Sequence, residues 1–469
     1  MRGADVLRQL WRSGSGRAGV ALLAFMTAVS VWVLFAFPAN FGNRVWSNPS
    51  YWADNPKAVP PAWVGWLPGS RAVEHRVLDL EPADGTNIYE ARWTHSGKRP
   101  PTFLSFSLGK MTFYERAPQY SVVLQRPDGK SVVLLRQVVR GPRPGETAPY
   151  VRFEDAPNRL LLTGDPAVGD AVADWVAQEY GVPRPDGRRV GFVQEALFGT
   201  PVEGEPDRFT GLAGEYRLQV QVIAGSRDTI DQMRFVSGGT AFGVMGTDAL
   251  GRDLAQGLVY GVPVALIIGL GAALLTSLIG AALGIASGYL GGWADTLIQR
   301  MADIVSNVPV LPLLIFLVFI LGSKLFLIVL VLVAFSWPGL TILLRSMVLQ
   351  IRSGQLVEAA ATLGASPWRI MARHIFPQMA PFIFAQLVFM VPGAILAESS
   401  LSFLGLGDPS IPTWGQILEA GFRTGGVYVG YWWWIGPPGL LIVFTAVTFI
   451  LLALGMEQVM NPRLRSRAL

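Results

Sequence analysis

The chain has 469 residues, of which 51% are hydrophobic and only 15% are charged, and its formal net charge at pH 7 is +5. A soluble protein usually has about 25% charged residues, so the composition indicates a membrane protein. The small net charge does not indicate nucleic-acid binding. Because cysteine is absent, disulfides, thiolate metal sites and thiol nucleophiles are excluded.

The first predicted element is a transmembrane helix over residues 18–38, preceded by a short N-terminal segment, residues 1–17. The basic character of that segment places the amino terminus in the cytoplasm. A secretory signal peptide is the alternative, but its apolar region spans only about 7 to 15 residues and ends at a small-residue cleavage site, which is not evident here. The cations of the segment are Arg2, Arg8, Arg12 and Arg17.

Residues 39–240 form a polar and aromatic region with no stretch able to span a membrane. Two β-branched runs within residues 121–135 flank a turn signal at residues 126–129, and residues 216–222 alternate apolar with polar side chains. Residues 165–180 have apolar side chains at helical spacing. The sequence predicts a β-rich domain, with a sandwich as one possible form, and at least one helix packed on its strands.

The remaining apolar region, residues 241–460, predicts five further spans, which makes six in total. A polar turn at residues 322–324 divides an apolar run that is too long for one crossing, and it places Lys324 at an interface, since a charge at the bilayer centre costs about 2.5 to 3.5 kcal/mol. The five spans are predicted over residues 262–288, 301–321, 325–344, 379–399 and 435–456.

Six crossings from a cytoplasmic amino terminus place the β-rich domain outside the cell, and residues 345–377 and the tail, residues 461–469, inside. The arginines agree with this orientation, because both inner segments are rich in them and the outer turn has one cation. These arginines are Arg345, Arg352, Arg369 and Arg373 in the loop and Arg463, Arg465 and Arg467 in the tail.

The inner loop, residues 355–377, contains the sequence EAAATLGASPWR at residues 358–369 and HIFP at residues 374–377. Residues 358–363 are strong helix formers, Gly364 permits a sharp change of direction, and Pro367 suits the first turn of a second helix. The sequence therefore predicts two short helices at an angle, a rigid elbow able to transmit a push from a partner. An ordinary amphipathic connector is the alternative.

This loop resembles the EAA loop of bacterial ABC importer permeases, and its final residues are similar to the peptide and nickel branch, which usually has Leu where this chain has Phe376. Two further stretches resemble the same branch: GTDALGRD at residues 246–253, and ESSLSFLGLG at residues 398–407 followed by PTWG at residues 412–415. The three together cover about residues 246–465. The resemblance implies an all-α, six-helix permease of the type I importer kind with a large β-rich extracytoplasmic insertion between helices 1 and 2.

The resemblance also implies which residues contact the ATPase and which form the segment before the second span. The ATPase-coupling residues would be Glu358, Ala359, Ala360, Gly364, Ala365, Trp368, Arg369 and Pro377. The segment before the second span would be formed by Thr247, Asp248, Gly251, Arg252 and Asp253.

Several residues have more than one interpretation. Asp248 and Asp253 either cap and charge the start of a helix, which is slightly favoured, or lie in the transport path. Glu398, near the outer end of a span, fits equally well a place in the translocation path and a helix contact. Pro309 and Pro392 are candidates for kinks that gate a pore.

No site for ATP hydrolysis is expected in this chain. The nearest match to a P-loop, residues 129–131, has Leu124 where the first glycine belongs. The histidines His75, His95 and His374 are widely separated and form no zinc motif. We therefore expect no catalytic residue, no cofactor and no metal.

By its resemblance, the chain is a permease subunit of the cytoplasmic membrane that imports peptides or related solutes, such as nickel complexes, by alternating access. The implied partners are ABC ATPase subunits, a second homologous permease subunit and an extracytoplasmic substrate-binding protein. A secondary transporter or channel independent of an ATPase is the alternative, but paired charges within spans and an internal repeat are not clear. A sensor or enzyme anchored by its helices would not need the elbow. The large insertion departs from the family's usual short loop and leaves the cargo open.

Overall fold

The computed structural model describes residues 11, 13–83 and 87–460, so the predicted cytoplasmic cations at Arg2, Arg8 and Arg12 and in the tail, residues 461–469, lie outside the described residues. The chain divides into two compact units. Pro49–Ala255 forms one, the β unit. The flanking segments, up to Asn48 and from Gln256 onward, form the other, the helical unit.

The helices that the structure describes are numbered here in chain order. They are α1 (Gly14–Ala36), α2 (Pro166–Tyr180), α3 (Phe192–Leu197), α4 (Leu254–Leu290), α5 (Gly292–Ser306), α6 (Val310–Leu321), α7 (Leu325–Arg352), α8 (Gln355–Thr362), α9 (Pro367–Ile370), α10 (Phe376–Leu401), α11 (Trp414–Arg423), α12 (Gly426–Val429) and α13 (Trp432–Met460). Shorter helical turns lie at Gly42–Trp46, Ala62–Trp66, Leu162–Gly164, Met371–Ile375 and Ser402–Leu406.

Within the described residues, five helical segments are long and apolar enough to cross a membrane, and a sixth results if the bent pair α5 and α6 counts as one. This pair differs from the single third span predicted over residues 301–321, because the two helices meet at 76°. The cause is Pro309, which disfavours helical geometry at the residue before it. With 12 residues, α6 rises only about 18 Å. It is well short of the roughly 30 Å of a bilayer core.

Helices α4 and α7 approach each other closely along a row of glycines on α4. A Cβ atom added at Gly284 would lie 2.8 Å from the Leu344 side chain, and one at Gly288 would lie 2.7 Å from that of Val348. Any larger side chain at these positions would force the helices apart. The row, which also includes Gly280, therefore acts in helix packing, because small residues four apart on one face let a neighbouring helix approach closely.

The β unit contains fourteen described strands. They are β1 (Arg76–Asp79), β2 (Glu81–Pro82), β3 (Ile88–His95), β4 (Leu104–Leu108), β5 (Met111–Phe113), β6 (Gln119–Gln125), β7 (Ser131–Val138), β8 (Tyr150–Arg152), β9 (Asn158–Leu161), β10 (Gly199–Val202), β11 (Glu205–Gly211), β12 (Gly214–Ile223), β13 (Thr229–Ile230) and β14 (Met233–Ser237). The sheets have the strand orders β2-β3-β12-β6-β7, β1-β14-β4-β9, β13-β5-β8 and β10-β11.

The two larger sheets share one buried core, in the manner of a sandwich. Strand β12 is antiparallel to both β3 and β6, with Leu218 opposite Leu124 of β6. Its alternate residues are buried, as the sequence pattern predicts. Aromatic rings join the sheets: Trp93 of β3 lies 5.1 Å from Phe235 of β14, and Phe106 of β4 lies 5.9 Å from Tyr120 of β6, measured between ring centroids.

The predicted hairpin and helix are both present in the β unit. Strands β6 and β7 pair across the turn at residues 126–130. Helix α2 starts at Pro166, where the Asp165 side chain accepts a hydrogen bond from the Ala167 backbone N–H. It ends at Tyr180 and is followed by Gly181 in the left-handed conformation. These are the end signals expected of a helix in water.

Arg126, in the hairpin turn, ties the hairpin to α2, α3 and β10. Its side chain is completely buried, and its guanidinium lies 5.0 Å from the centre of the Trp175 ring. It donates hydrogen bonds of 2.7–2.9 Å to Ala196 O, Gly199 O, Asp128 and Tyr180.

We therefore expect Arg126→Ala to destabilise the β unit by about 3–5 kcal/mol, because it leaves buried acceptors and a carboxylate without their partner. Arg208→Ala is the matched control. Its ion pair with Glu205 is exposed, so its loss costs at most about 1 kcal/mol. The measurement is urea unfolding of the full chain in detergent, followed by pulse proteolysis within the β unit. Equal midpoints for the two variants would contradict the role assigned to Arg126.

Candidate functional site

The predicted elbow is formed by α8 and α9. Helix α8 ends at Thr362, and Gly364 follows with φ of +80°, a left-handed conformation that glycine adopts without steric cost. Ser366 then caps α9, since its side chain accepts a hydrogen bond from the Arg369 backbone N–H, and Pro367 occupies the first turn. The two short helices thus form where the local signals predict them.

One face of the elbow is buried against the helical unit. Val357 of α8, Ile370 of α9 and Ile375 of the following turn are fully buried. They belong to a single apolar cluster, called here the elbow core, which fixes the elbow to α4, α7 and α10. Its other buried members are Ala281, Ile285, Leu340, Leu344, Val348, Met371, Met379 and Ile383.

The opposite face of the elbow is exposed and carries large apolar side chains. Leu363 is 89% exposed and Trp368 is 75% exposed. Most of the predicted coupling residues lie on this exposed surface, whereas two alanines pack partly against the elbow core. The exposed set is Glu358, Ala359, Gly364, Trp368, Arg369 and Pro377, and the partly buried pair is Ala360 and Ala365.

The segment at residues 246–253 is a compact turn in the β unit. Asp248 accepts hydrogen bonds from the backbone N–H groups of Leu250 and Arg252, both at 2.9 Å, and forms an ion pair with the Arg252 side chain. Asp253 accepts from the Ala255 N–H at the start of α4. Asp253 therefore caps the helix, whereas Asp248 stabilises the turn before it.

Two other members of this segment stabilise the turn from its backbone. Thr247 donates its hydroxyl to the Pro56 carbonyl at 2.7 Å, and Gly251 has φ of +83°. The polar side chains of this segment thus have hydrogen-bond or ion-pair partners within the β unit. This arrangement favours the structural interpretation of the two aspartates over a place in the transport path.

Glu398 is buried, with 3% of its surface exposed, near the end of α10. Its carboxylate accepts hydrogen bonds from the hydroxyls of Ser402, at 2.7 Å, and Ser399, at 3.4 Å. Helix α11 approaches closely here, because a Cβ atom at Gly415 would lie 2.6 Å from the Ser399 carbonyl oxygen. The burial and the local hydroxyl partners favour the helix-contact interpretation of Glu398.

The two prolines occupy different settings. Pro309 lies at the break between α5 and α6, and Pro392 is buried inside α10. Next to Pro392, Gly393 lines a cavity of about 270 Å³ between α4, α7 and α10, whose few polar groups include Thr276 and Ser336. This cavity has no signature in the sequence, because its walls are distant in the chain.

Sequence reasoning also missed an ion pair between Asp295 of α5 and Arg345 of α7. In the sequence, Arg345 is only one of the cations that mark the inner side of the membrane. The signal for Asp295 is a carboxylate in the first turn of a helix that lies within an otherwise apolar region.

The family model for the binding-protein-dependent transport system inner membrane component matches residues 279–466. The dipeptide transport system permease protein DppC of Bacillus subtilis (strain 168) is 36% identical over 221 residues, which is 47% of this chain and 68% of that protein. The glutathione transport system permease protein GsiD of Pectobacterium atrosepticum is 34% identical over 228 residues, 47% of this chain and 73% of that protein.

The chain belongs to the family of binding-protein-dependent transport system inner membrane components. As an inner membrane component, it is a permease subunit of an ABC importer, which confirms the resemblance found in the sequence motifs. Among solved structures, a chain of the MetNI methionine ABC transporter in an inward-facing conformation is 19% identical to this chain, with a TM-score of 0.36. The match covers 45% of this chain and 97% of the MetNI chain.

We expect Gly415→Ala to destabilise the helical unit by about 1–3 kcal/mol, because the added methyl group would force α11 away from the Ser399 backbone. Gly439→Ala in α13 is the control: no atom lies within 4 Å of its added Cβ, so this change should be neutral or slightly stabilising. The measurement is the thermal midpoint of the detergent-solubilised chain by size-exclusion chromatography. A Gly415→Ala midpoint as high as that of Gly439→Ala would contradict the close contact.

Proposed function

We propose that the elbow formed by α8 and α9 is the docking site of an ABC ATPase subunit, and that ATP turnover in that subunit drives transport through the helical unit. The observation that carries this proposal is the pairing of two opposite faces on one small element. One face belongs to the elbow core and packs against α4, α7 and α10. The other exposes Leu363 and Trp368, with Glu358 nearby.

An exposed tryptophan and leucine on a rigid polar loop are typical of an interface, in which a few large side chains supply most of the binding energy. A membrane anchor would explain the exposure equally well, but the elbow also carries polar and charged residues, such as Glu358 and Arg369, that a bilayer interior disfavours. A protein partner therefore accounts better for the mixed surface.

We infer that the complete transporter is a type I importer with alternating access, and that it contains this permease, a second homologous permease, ATPase subunits and a binding protein outside the membrane. Relatives are named as permeases of dipeptide, oligopeptide and glutathione transport systems. A short peptide is therefore the proposed cargo, and a nickel complex is the alternative. No step of ATP hydrolysis is assigned to this chain.

We expect Trp368→Ala and Leu363→Ala each to weaken ATPase binding by about 30-fold, the loss typical of an interface hot spot. Phe319→Ala is the matched control, because Phe319 is an equally exposed aromatic residue, at 88%, but lies on α6. The measurements are co-purification of the ATPase in mild detergent and ATP-driven uptake of a labelled dipeptide by proteoliposomes. Wild-type uptake without any bound ATPase would support the secondary-transporter alternative.

We also propose that both termini and the elbow face the cytoplasm and that the β-rich insertion, residues 39–240, is extracytoplasmic. One basis is the distribution of arginines. The other is the number of membrane crossings between the insertion and the elbow, which is odd if α5 and α6 together count as one span between α4 and α7. The insertion would then lie where a substrate-binding protein delivers cargo.

This orientation is testable by labelling with a membrane-impermeant maleimide, because the wild-type chain has no cysteine. In intact cells or spheroplasts, Ser226→Cys in the β unit should be labelled, and Thr362→Cys in the elbow should be labelled only after the membrane is permeabilised. Both positions are exposed, so the difference in labelling would reflect the side of the membrane. Labelling of Thr362→Cys in intact spheroplasts would reverse the proposed orientation.

A further inference from the structure

A network of polar side chains joins the inner ends of α4, α5 and α7 in the helical unit. Arg345 of α7 donates from Nε and Nη2 to the two carboxylate oxygens of Asp295 of α5, both at 2.6 Å. Ser287 of α4 donates its hydroxyl to the same carboxylate at 2.5 Å, and Gln299 of α5 donates to the Ser287 oxygen at 3.0 Å. A two-pronged arginine–carboxylate pair fixes orientation as well as distance.

This network is the main polar attachment of α5 that the described residues show. Along α5, only Ala302 is fully buried. Its large apolar side chains are instead exposed, among them Trp293 at 78% and Ile304 at 61%. Few side chains of α5 are therefore buried within the chain, and the Asp295–Arg345 pair is its directional polar contact with α7.

Arg345 is placed where α7 is held by the elbow. Its neighbour Leu344 and the residue one turn further on, Val348, are completely buried in the elbow core with Val357 and Ile370 of the elbow helices. A displacement of the elbow must therefore move this turn of α7, because close-packed side chains transmit movement and do not absorb it. The Arg345 side chain moves with it.

At its other end, α5 leads into the break before α6. Asn307, Val308 and Pro309 separate the two helices, which meet at 76°. Because α6 is too short to cross a bilayer alone, the angle at this break determines how the pair lies in the membrane. A hinge of this kind can change its angle through a few residues at the ends of the two helices.

We propose that the Asp295–Arg345 ion pair relays elbow movement from α7 to α5, and thereby sets the α5–α6 angle during transport. Arg345 and Asp295 are positioning residues in this scheme, because neither has to touch the cargo. The proposal rests on the proposed function of the elbow. It adds that transport becomes uncoupled from ATP hydrolysis when the pair is broken, even though the ATPase still docks.

The test uses the complete transporter in proteoliposomes, with dipeptide uptake and ATP hydrolysis measured on the same sample. Asp295→Asn and Arg345→Lys should lower the number of peptides transported per ATP by about tenfold, because each loses the two-pronged pair and a hydrogen bond to a charged group is worth about a factor of ten or more. ATPase co-purification should remain at the wild-type level. Asp303→Asn, an exposed carboxylate on the same helix, is the control and should leave the ratio unchanged.

The exchanged variant, with Asp295→Arg and Arg345→Asp combined, should recover part of the ratio that each single change loses. Unchanged coupling in Asp295→Asn and Arg345→Lys, with normal uptake by the wild type, would overturn the relay and leave the proposed function intact. A wild-type transporter that shows no ATP-driven uptake would instead overturn the proposed function itself.

A second measurement tests the relay if the variants do not assemble into the complete transporter. Spin labels on Met301→Cys of α5 and Leu349→Cys of α7, both exposed positions in a chain without cysteine, report the distance between the helices. In the wild-type background this distance should stay constant between the nucleotide-free and ATP-trapped states, because the pair moves α5 and α7 together. A change of several ångströms between the states would overturn the relay.

Discussion

The close approach of α4 and α7 is the contact on which the rest of the helical unit depends. Lipid is as apolar as the side chains, so helices in a membrane gain little from leaving it and associate mainly through tight packing. Gly284 and Gly288 allow Leu344 and Val348 to reach the α4 backbone. The same two side chains then form the elbow core with Val357. The same side chains therefore pack α7 against α4 and attach the elbow to α7.

Helices with many buried contacts and helices with few buried contacts have different roles in the helical unit. Helix α7 packs closely against α4 on one side and against the elbow on the other, and close packing resists deformation. Helix α5, which buries only Ala302 completely, is attached through a charged pair whose geometry is directional. A transporter needs both kinds of element, because a rigid part transmits force and a weakly packed part can change position at small cost.

Local signals in the sequence predicted the elements that depend on neighbouring residues. Gly364 and Pro367 gave the elbow, and the turn after Arg126 gave the β6–β7 hairpin. The break at Pro309 was expected as a kink within one span, and its 76° angle was not predictable from hydropathy alone. The Asp295–Arg345 pair joins positions 50 residues apart, and a single sequence has no periodic signal for such a contact.

The segments by which the chain enters and leaves the β unit are joined to each other by backbone hydrogen bonds. Ala58 donates its backbone N–H to Asp248 O at 2.8 Å, Thr247 donates to Val59 O at 2.9 Å, and Ala62 donates to Gly243 O at 2.8 Å. A domain whose first and last segments lie side by side can take the place of a short loop between two helices, because it returns the chain close to the point where the chain entered it. The size of the insertion therefore places little constraint on the helices it connects.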